Sequence, residues 1–245
     1  MISESPPAHG VAALDRHGVL VVGGVIAAVD LPALRREFDR IMGVGRGRAG
    51  ARSPLAESVV LRTLAQSRTV RGLVEPVLGA SARLVRSLLF DKREGANWEV
   101  TWHRDTTIAV RERREAPGYG PWSVKAGVHH VRPPLRVLEC MLTVRLHFDE
   151  CDERNGALLV VPGSHRDEGG GIDLSLVPDP VSCRARAVVC PVPAGGALLM
   201  RPLILHASKK ALDPQRRRRV LHLEFAATPL DGGLQWAGEP NEPEG

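Results

Sequence analysis

The sequence predicts a mainly β domain with a helical layer at its N-terminus, on three observations. From residue 82 onward, short apolar runs recur between Gly, Pro and Asp. No helical periodicity separates those runs, which argues for an all-β sandwich or barrel. Before residue 80, apolar residues instead recur at helical spacing. The chain has 245 residues, 43% of them hydrophobic, enough for a sizeable core. One domain over 1–245 is expected, with a helical layer at 1–80, a β core at 82–230 and a lid-like insertion at 106–135.

The elements follow in order. Residues 1–10 read as a disordered start. Val19 to Val22 is a β-branched run after the turn-like Arg16-His17-Gly18. Asp30 then looks like an N-cap with Pro32 in the first turn. Leu31, Leu34, Phe38 and Ile41 mark a helix that runs up to Gly43. A glycine- and arginine-rich loop spans Gly43 to Gly50. A second helical region runs from Ser53 to Leu78, with a break near Ser67 and a stop at Gly79. Strands are expected at Leu84–Phe90, Trp98–His103, Val137–Phe148, Ala157–Val161, Ala187–Val189, Ala197–Met200 and Val220–Ala226. Turn signals such as Asn155-Gly156 and Pro162-Gly163 bound them. Thr106 to Pro134 is charged and punctuated by glycine and proline, and a loop of that length usually acts as a lid or binding element.

Composition narrows the function. The net charge is +5, but 33 basic residues are interspersed with 28 acidic ones. The one dense run, Arg216 to Arg219, leads into an apolar strand rather than a free tail, so no nucleic-acid partner is expected. Four cysteines without a CxxC pair read as reduced thiols of a cytoplasmic protein. No secretory signal is evident in MISESPPAHG, and the apolar stretch from Gly18 to Val29 is too short and glycine-broken to span a membrane.

The chemistry centres on histidine. Two histidines and one carboxylate on one face of a scaffold hold Fe(II) and leave positions open for other ligands. A His-x-Asp pair on a strand suits this, because residues i and i+2 point the same way. With nine histidines, about 0.4 chance matches are expected, so context must choose. His103-Arg104-Asp105, His147-Phe148-Asp149 and His165-Arg166-Asp167 all match, and His222-Leu223-Glu224 is a variant. His165 follows a turn and reads as structural. His147 and Asp149 share a strand face with Thr143 and Arg145, facing either water or a site. His103 and Asp105 lie where a strand carrying Trp98 and Trp102 runs into the long loop, a place where a ligand site would be built. His206 ends the apolar run Leu203 to Leu205. Twelve residues later comes Arg218, whose guanidinium is a bidentate partner for a carboxylate. Arg218, Val220, His222 and Glu224 share one face of their strand and Arg219, Leu221, Leu223 and Phe225 the other. Alternation alone leaves open which is inward.

Three stretches carry a resemblance. Leu89-Phe90-Asp91-Lys92 with Asn97-Trp98 through His103-Arg104-Asp105 is one. Asn155-Gly156-Ala157-Leu158 with Val161-Pro162-Gly163-Ser164-His165 is the second. Arg201-Pro202-Leu203 through His206-Ala207-Ser208, followed by Arg218-Arg219-Val220-Leu221-His222, is the third. Together, and with His17-Gly18-Val19-Leu20-Val21 near the start, they resemble the phytanoyl-CoA dioxygenase family over nearly the whole chain.

The resemblance implies a double-stranded β-helix, a cupin-like jelly-roll, that uses Fe(II), 2-oxoglutarate and O2. His103, Asp105 and His206 match the family's metal ligands. Arg218 matches the arginine that binds the distal carboxylate of 2-oxoglutarate, with Arg217 and Arg219 as alternatives within the run. Ser208 matches an assisting hydroxyl, and Lys92 is placed near the same pocket. The presence of Asp105 implies hydroxylation, since halogenating relatives lack that carboxylate. A small-molecule or carrier-tethered substrate is implied, with release of succinate and CO2. Trp98, Trp102, Arg145 and His147 are candidate substrate residues. The alternative is a non-catalytic metal- or ligand-binding jelly-roll. Substrate identity and oligomeric state are left open.

Overall fold

The computed structural model describes residues 8–43, 49–166, 172–174, 176, 178–213 and 215–238. Helix α1 (Ala8–His17) leads into β1 (Val19–Val22), and then come α2 (Leu31–Met42) and β2 (Gly50–Arg52). Three helices follow: α3 (Pro54–Glu57), α4 (Val59–Ala65) and α5 (Arg68–Leu78). The β region holds β3 (Arg83–Lys92), β4 (Val100–His103), β5 (Ile108–Val110), β6 (Trp122–Lys125) and β7 (Val128–Val131). After α6 (Leu135–Glu139) come β8 (Met141–His147), β9 (Leu158–Val160), α7 (Pro180–Arg186), β10 (Val188–Cys190), β11 (Ala197–Met200), β12 (His206–Ser208) and β13 (Arg218–Ala226).

The major sheet has strand order β1-β11-β8-β13-β3-β2, and a second sheet runs β10-β9-β12-β4. All strand pairings in these two sheets are antiparallel among the described residues. This is the jelly-roll core with the helical layer laid against it. Alternation along each strand explains the packing. Leu142, Val144 and Leu146 of β8, with Leu221, Leu223 and Phe225 of β13, are buried against Leu34, Phe38, Ile41, Leu61 and Leu73 of the helices. The other face of the same sheet looks toward the second one, and Leu198 and Met200 of β11 join Leu158 and Val160 of β9 and Ile204 in a smaller apolar cluster. The inward side of β13 is therefore the one carrying Arg218, Val220, His222 and Glu224. The polar row Thr143, Arg145 and His147 points to the same interior, and all three are buried.

Several sequence expectations change. Residues 8–17 form a helix rather than the end of a disordered start, and 1–7 lie outside the described residues. Asp30 precedes α2 but caps nothing with its side chain, because its backbone is already helical (φ −87°, ψ −21°). The break near Ser67 is real: its hydroxyl accepts from Val70 N at 3.3 Å, and Ser58 makes a second such cap. Most of the Gly43–Gly50 loop falls outside the described residues. Val137 to Glu139 belong to a helical turn, not to β8.

Helix α7 carries no clear sequence signal beyond Asp179-Pro180. Its cap is well formed, with the Asp179 carboxylate accepting from Val181 N and Ser182 N. The largest correction is Thr106 to Pro134. It is a three-stranded antiparallel sheet, β5-β7-β6, rather than a loop. Ile108, Val110, Tyr119 and Val131 bury themselves with Trp236 and Leu234 from near the C-terminus. Its short strands and polar exposed positions hide the period-2 pattern.

Candidate metal centre and co-substrate pocket

His206 on β12 lies directly opposite His103 on β4, with a bulge between the strands just beyond that pair. Asp105 follows β4 by two residues, and its N–H donates to Pro202 O at 2.9 Å, which fixes the chain as it leaves the strand. The ring centroids of the two histidines are 4.1 Å apart. His103 Nε2 and His206 Nε2 each lie 3.8 Å from an oxygen of Asp105. The three potential ligand atoms fall within 4.8 Å of one another.

Both rings are oriented by their own backbone. His103 Nδ1–H donates to Thr101 O at 2.8 Å, and His206 Nδ1–H donates to Ile204 O at 3.0 Å. Each Nε2 is thereby left as a lone-pair donor toward the centre, the tautomer a metal requires. Burial pushes the His206 ring down to about 4, against the pull of Asp105, so it is neutral near pH 7. Burial acts to raise the Asp105 carboxyl, but the neighbouring His206, His222, His103 and Arg86 outweigh it and bring it below its ordinary value. Imidazole nitrogens aimed at a common centre beside a carboxylate suit iron. The other His-x-Asp matches do not converge. Asp149 faces outward and pairs with Arg219 at 2.9 Å and Arg35 at 3.0 Å, away from His147. His165 sits against Gly18 in a turn and bonds Asp15 O, while Asp167 lies outside the described residues.

Deeper in the barrel is a basic pocket. Lys92 on β3 pairs in register with Arg218 on β13, and both are buried. Ser208 lies between them: Lys92 Nζ donates to its Oγ at 2.9 Å and Arg218 Nη1 does so at 3.2 Å. Arg218 also donates to Gly156 O, which the Ser208 hydroxyl reaches at 3.0 Å. Burial and the Arg218 charge bring Lys92 down to about 7. Arg145 is buried nearby, and burial and Arg218 lower it to about 10. Arg218 Nε, Arg145 Nε and both ring nitrogens of His147 are buried without a hydrogen-bond partner. Crowded cations with unspent donors describe a site that wants an anion, and a dicarboxylate chelating a metal at one end fits it.

The arginine run is divided by alternation. Arg217 pairs with Asp91 at 2.7 Å and Asp39 at 2.8 Å, and Arg219 with Asp149 and Asp39. Arg216 reaches Asp152 at 2.7 Å. Arg218 is the member of the run that points into the barrel.

Of the candidate substrate residues, Trp98 packs its ring 5.3 Å from the Lys92 ammonium. Trp102 precedes His103 on β4 and takes the opposite side of the strand. Arg145 lies 5.4 Å from the Phe90 ring and donates to His222 Nδ1 at 3.0 Å. His222 Nε2 in turn meets Glu224 at 3.2 Å, and Glu224 pairs with Arg86 at 2.9 Å. Sequence reasoning missed Arg86. Its signal is period 2, since Arg86, Leu88, Phe90 and Lys92 share one face of β3. Arg52, from the three-residue β2, carries no such signal.

No curated protein matches the chain in sequence. Solved structures do resemble it. EctD from S. alaskensis with 2-oxoglutarate and 5-hydroxyectoine superposes with a TM-score of 0.69 at 20% identity, covering 94% of this chain and 80% of that one. The epimerase SnoN in complex with Fe3+, α-ketoglutarate and nogalamycin RO gives 0.65 at 19% identity over 89% and 82%. The non-heme α-ketoglutarate-dependent carbocyclase SnoK from nogalamycin biosynthesis gives 0.66 at 16% identity over 89% and 83%. At these identities the likeness establishes the fold. The sequence model of the phytanoyl-CoA dioxygenase (PhyH) family matches residues 14–219. The chain therefore belongs to the phytanoyl-CoA dioxygenase family of iron- and 2-oxoglutarate-dependent oxygenases.

Proposed function

We propose that the protein hydroxylates an unactivated C–H bond of a small-molecule or carrier-tethered substrate. The observation that carries this reading is the intact carboxylate of the triad: Asp105 stands within reach of both His103 and His206. An intact facial set leaves no ligand position vacated for a halide. The related folds include an epimerase and a carbocyclase, so the outcome must be read from the product.

His103, Asp105 and His206 would hold Fe(II). Arg218 would grip the distal carboxylate of 2-oxoglutarate, with Lys92 donating a second charge and Ser208 fixing both donors. Bound there, iron with 2-oxoglutarate and O2 supplies oxidative decarboxylation to succinate and CO2, coupled to oxidation of a substrate C–H bond. The chain contributes positioning and dryness. Leu158, Val160, Leu198 and Met200 form an apolar wall across the barrel, which limits water around the reacting atoms. A cytoplasmic setting agrees with the four free cysteines, and no helix among the described residues is long and apolar enough to cross a membrane.

Anaerobic addition of Fe(II) and 2-oxoglutarate tests the reading through the weak visible charge-transfer band of the chelate. Wild type should show the band, and a substrate found by screening should gain one oxygen atom. Absence of the band in wild type overturns the assignment. A product that is desaturated, cyclised or epimerised overturns hydroxylation alone.

A further inference from the structure

We propose that the substrate bears an anionic group, a carboxylate or a phosphate, which Arg52, at the neck between two cavities beside the metal centre, binds together with Lys125 on the rim of the outer one. This rests on the oxygenase reading and names the class of molecule that site would take.

A cavity of about 400 Å3 opens on Asp105 and is walled by Leu88, Phe90, Trp98 and His222. A second, of about 460 Å3, lies outside it under Leu55, Leu84, Ala109, Val128 and His130. Both are lined by Arg52, Arg86 and Leu88, so these residues form the neck. The inner cavity's wall sets the apolar Leu88, Phe90 and Trp98 beside Arg86, Asp105, His222 and Glu224, and the carbon skeleton whose C–H bond is oxidised would lie against the first three.

The neck holds more positive charge than the protein neutralises. Arg86 is committed to Glu224 at 2.9 Å, and Glu224 is shared with His222. The Arg52 guanidinium makes no hydrogen bond or ion pair with any described residue. Among the described residues the Lys125 ammonium has only the neutral Thr107 hydroxyl, at 3.3 Å, and it stands across from Val128 of the outer cavity's wall. Burial first, then the Arg86 charge, lowers Arg52 from its ordinary value; burial, Arg86 and Arg52 lower Lys125, and both shifts persist against the pull of Glu224. An anion placed among them removes that repulsion and supplies the missing acceptor.

The outer cavity adds an independent observation. His130 is 1% exposed, and its Nδ1–H donates to Val128 O at 3.0 Å. The residue lines the cavity, but its Nε2 has almost no accessible surface and no partner, so a ligand donor meets it once the ring turns. A buried acceptor left empty calls for a donor from the ligand, so the part of the substrate beyond the neck carries a hydroxyl or N–H. The recognised molecule has an oxidisable apolar portion, an anionic group at the neck and a hydrogen-bond donor past it.

Calorimetric titration of the anaerobic Fe(II)- and 2-oxoglutarate-loaded protein tests this with three probes: 3-phenylpropanoate, phenyl phosphate and the neutral 3-phenylpropanamide. At least one anion should bind about tenfold or more tightly than the amide, a difference of about 1.4 kcal/mol. Which anion is preferred distinguishes carboxylate from phosphate. The double variant Arg52→Gln/Lys125→Gln should lose the preference. Equal binding of amide and anions, no binding of either anion, or a preference that survives in the double variant overturns the proposal. The charge-transfer band of the same wild-type samples separates the two readings. A normal band without anion preference sinks the anion site alone, whereas a missing band sinks the oxygenase assignment whatever the heats show.

Discussion

Lys92 and Arg218 stand opposite each other on adjacent antiparallel strands, two buried cations that share the Ser208 hydroxyl. Lys92 titrates near 7 in the fold, well below its ordinary 10.5, because burial and Arg218 disfavour its charged form. Between those two values the unfolded chain holds more protons than the folded one. Stability of the ligand-free protein therefore rises with pH from about 7, and the penalty is fully present below it. A dianionic co-substrate bound as proposed should reverse the balance and draw a proton onto Lys92. Calorimetry in buffers of different ionisation enthalpy near pH 7.5 should report proton uptake on 2-oxoglutarate binding. Lys92→Met should abolish the uptake, weaken binding and flatten that part of the stability–pH curve.

Arg218→Ala should raise the 2-oxoglutarate requirement about 30-fold or more, as truncating one buried partner of a charged hydrogen-bonded pair costs about 2 kcal/mol or above. Arg217→Ala and Arg219→Ala should lower thermal stability and leave the requirement within about threefold, because their partners Asp91, Asp39 and Asp149 lie on the helix side. A titration of the charge-transfer band against 2-oxoglutarate separates the three.

His206→Ala and Asp105→Ala should each abolish that band at Fe(II) concentrations that saturate the wild type. His147→Ala should retain it, since His147 stands apart from the Nε2 atoms of the cluster. Retention of the band in both ligand variants would place the metal elsewhere.

Gly156→Ala probes the pocket through the backbone. Gly156 has φ 81°, and a Cβ there would come within 2.9 Å of both Lys209 O and Lys92 Nζ. The substitution should weaken 2-oxoglutarate binding more than iron binding, measured by separate titrations of the two.

Phe148→Ala tests the seam between helices and sheet. Phe148 is fully buried and meets Phe38 edge-on at 5.9 Å. Loss of about 3–5 kcal/mol of unfolding free energy is expected in denaturant titration.

Much of this was legible because it depends on local rules. The spacing of Leu31, Leu34, Phe38 and Ile41 showed both the helix α2 and its buried face. Strand alternation sorted Arg218 from Arg219, but not which face was inward, since that depends on where the helices dock. Resemblance, not spacing, separated His103 and Asp105 from His147 and Asp149. The structure supplies the physical reason, as the Asp149 side chain is turned outward by Arg35 and Arg219. The β5–β7 sheet was missed because strands of three and four residues around a Gly-Pro turn carry too little pattern. Arg52 and Arg86 were missed because they come from two separate strands and line one neck only in the fold.

The division of labour within Arg217-Arg218-Arg219 makes β13 sensitive to phase. A one-residue insertion between Asp213 and Arg217 that is absorbed in the turn leaves the protein as drawn. The same insertion absorbed in the strand still presents an arginine to the barrel, but it turns Leu221, Leu223 and Phe225 away from the helices. Charge at the pocket would survive such a slip while the hydrophobic seam would not. The apolar half of β13 thus acts as the reading frame for its basic half.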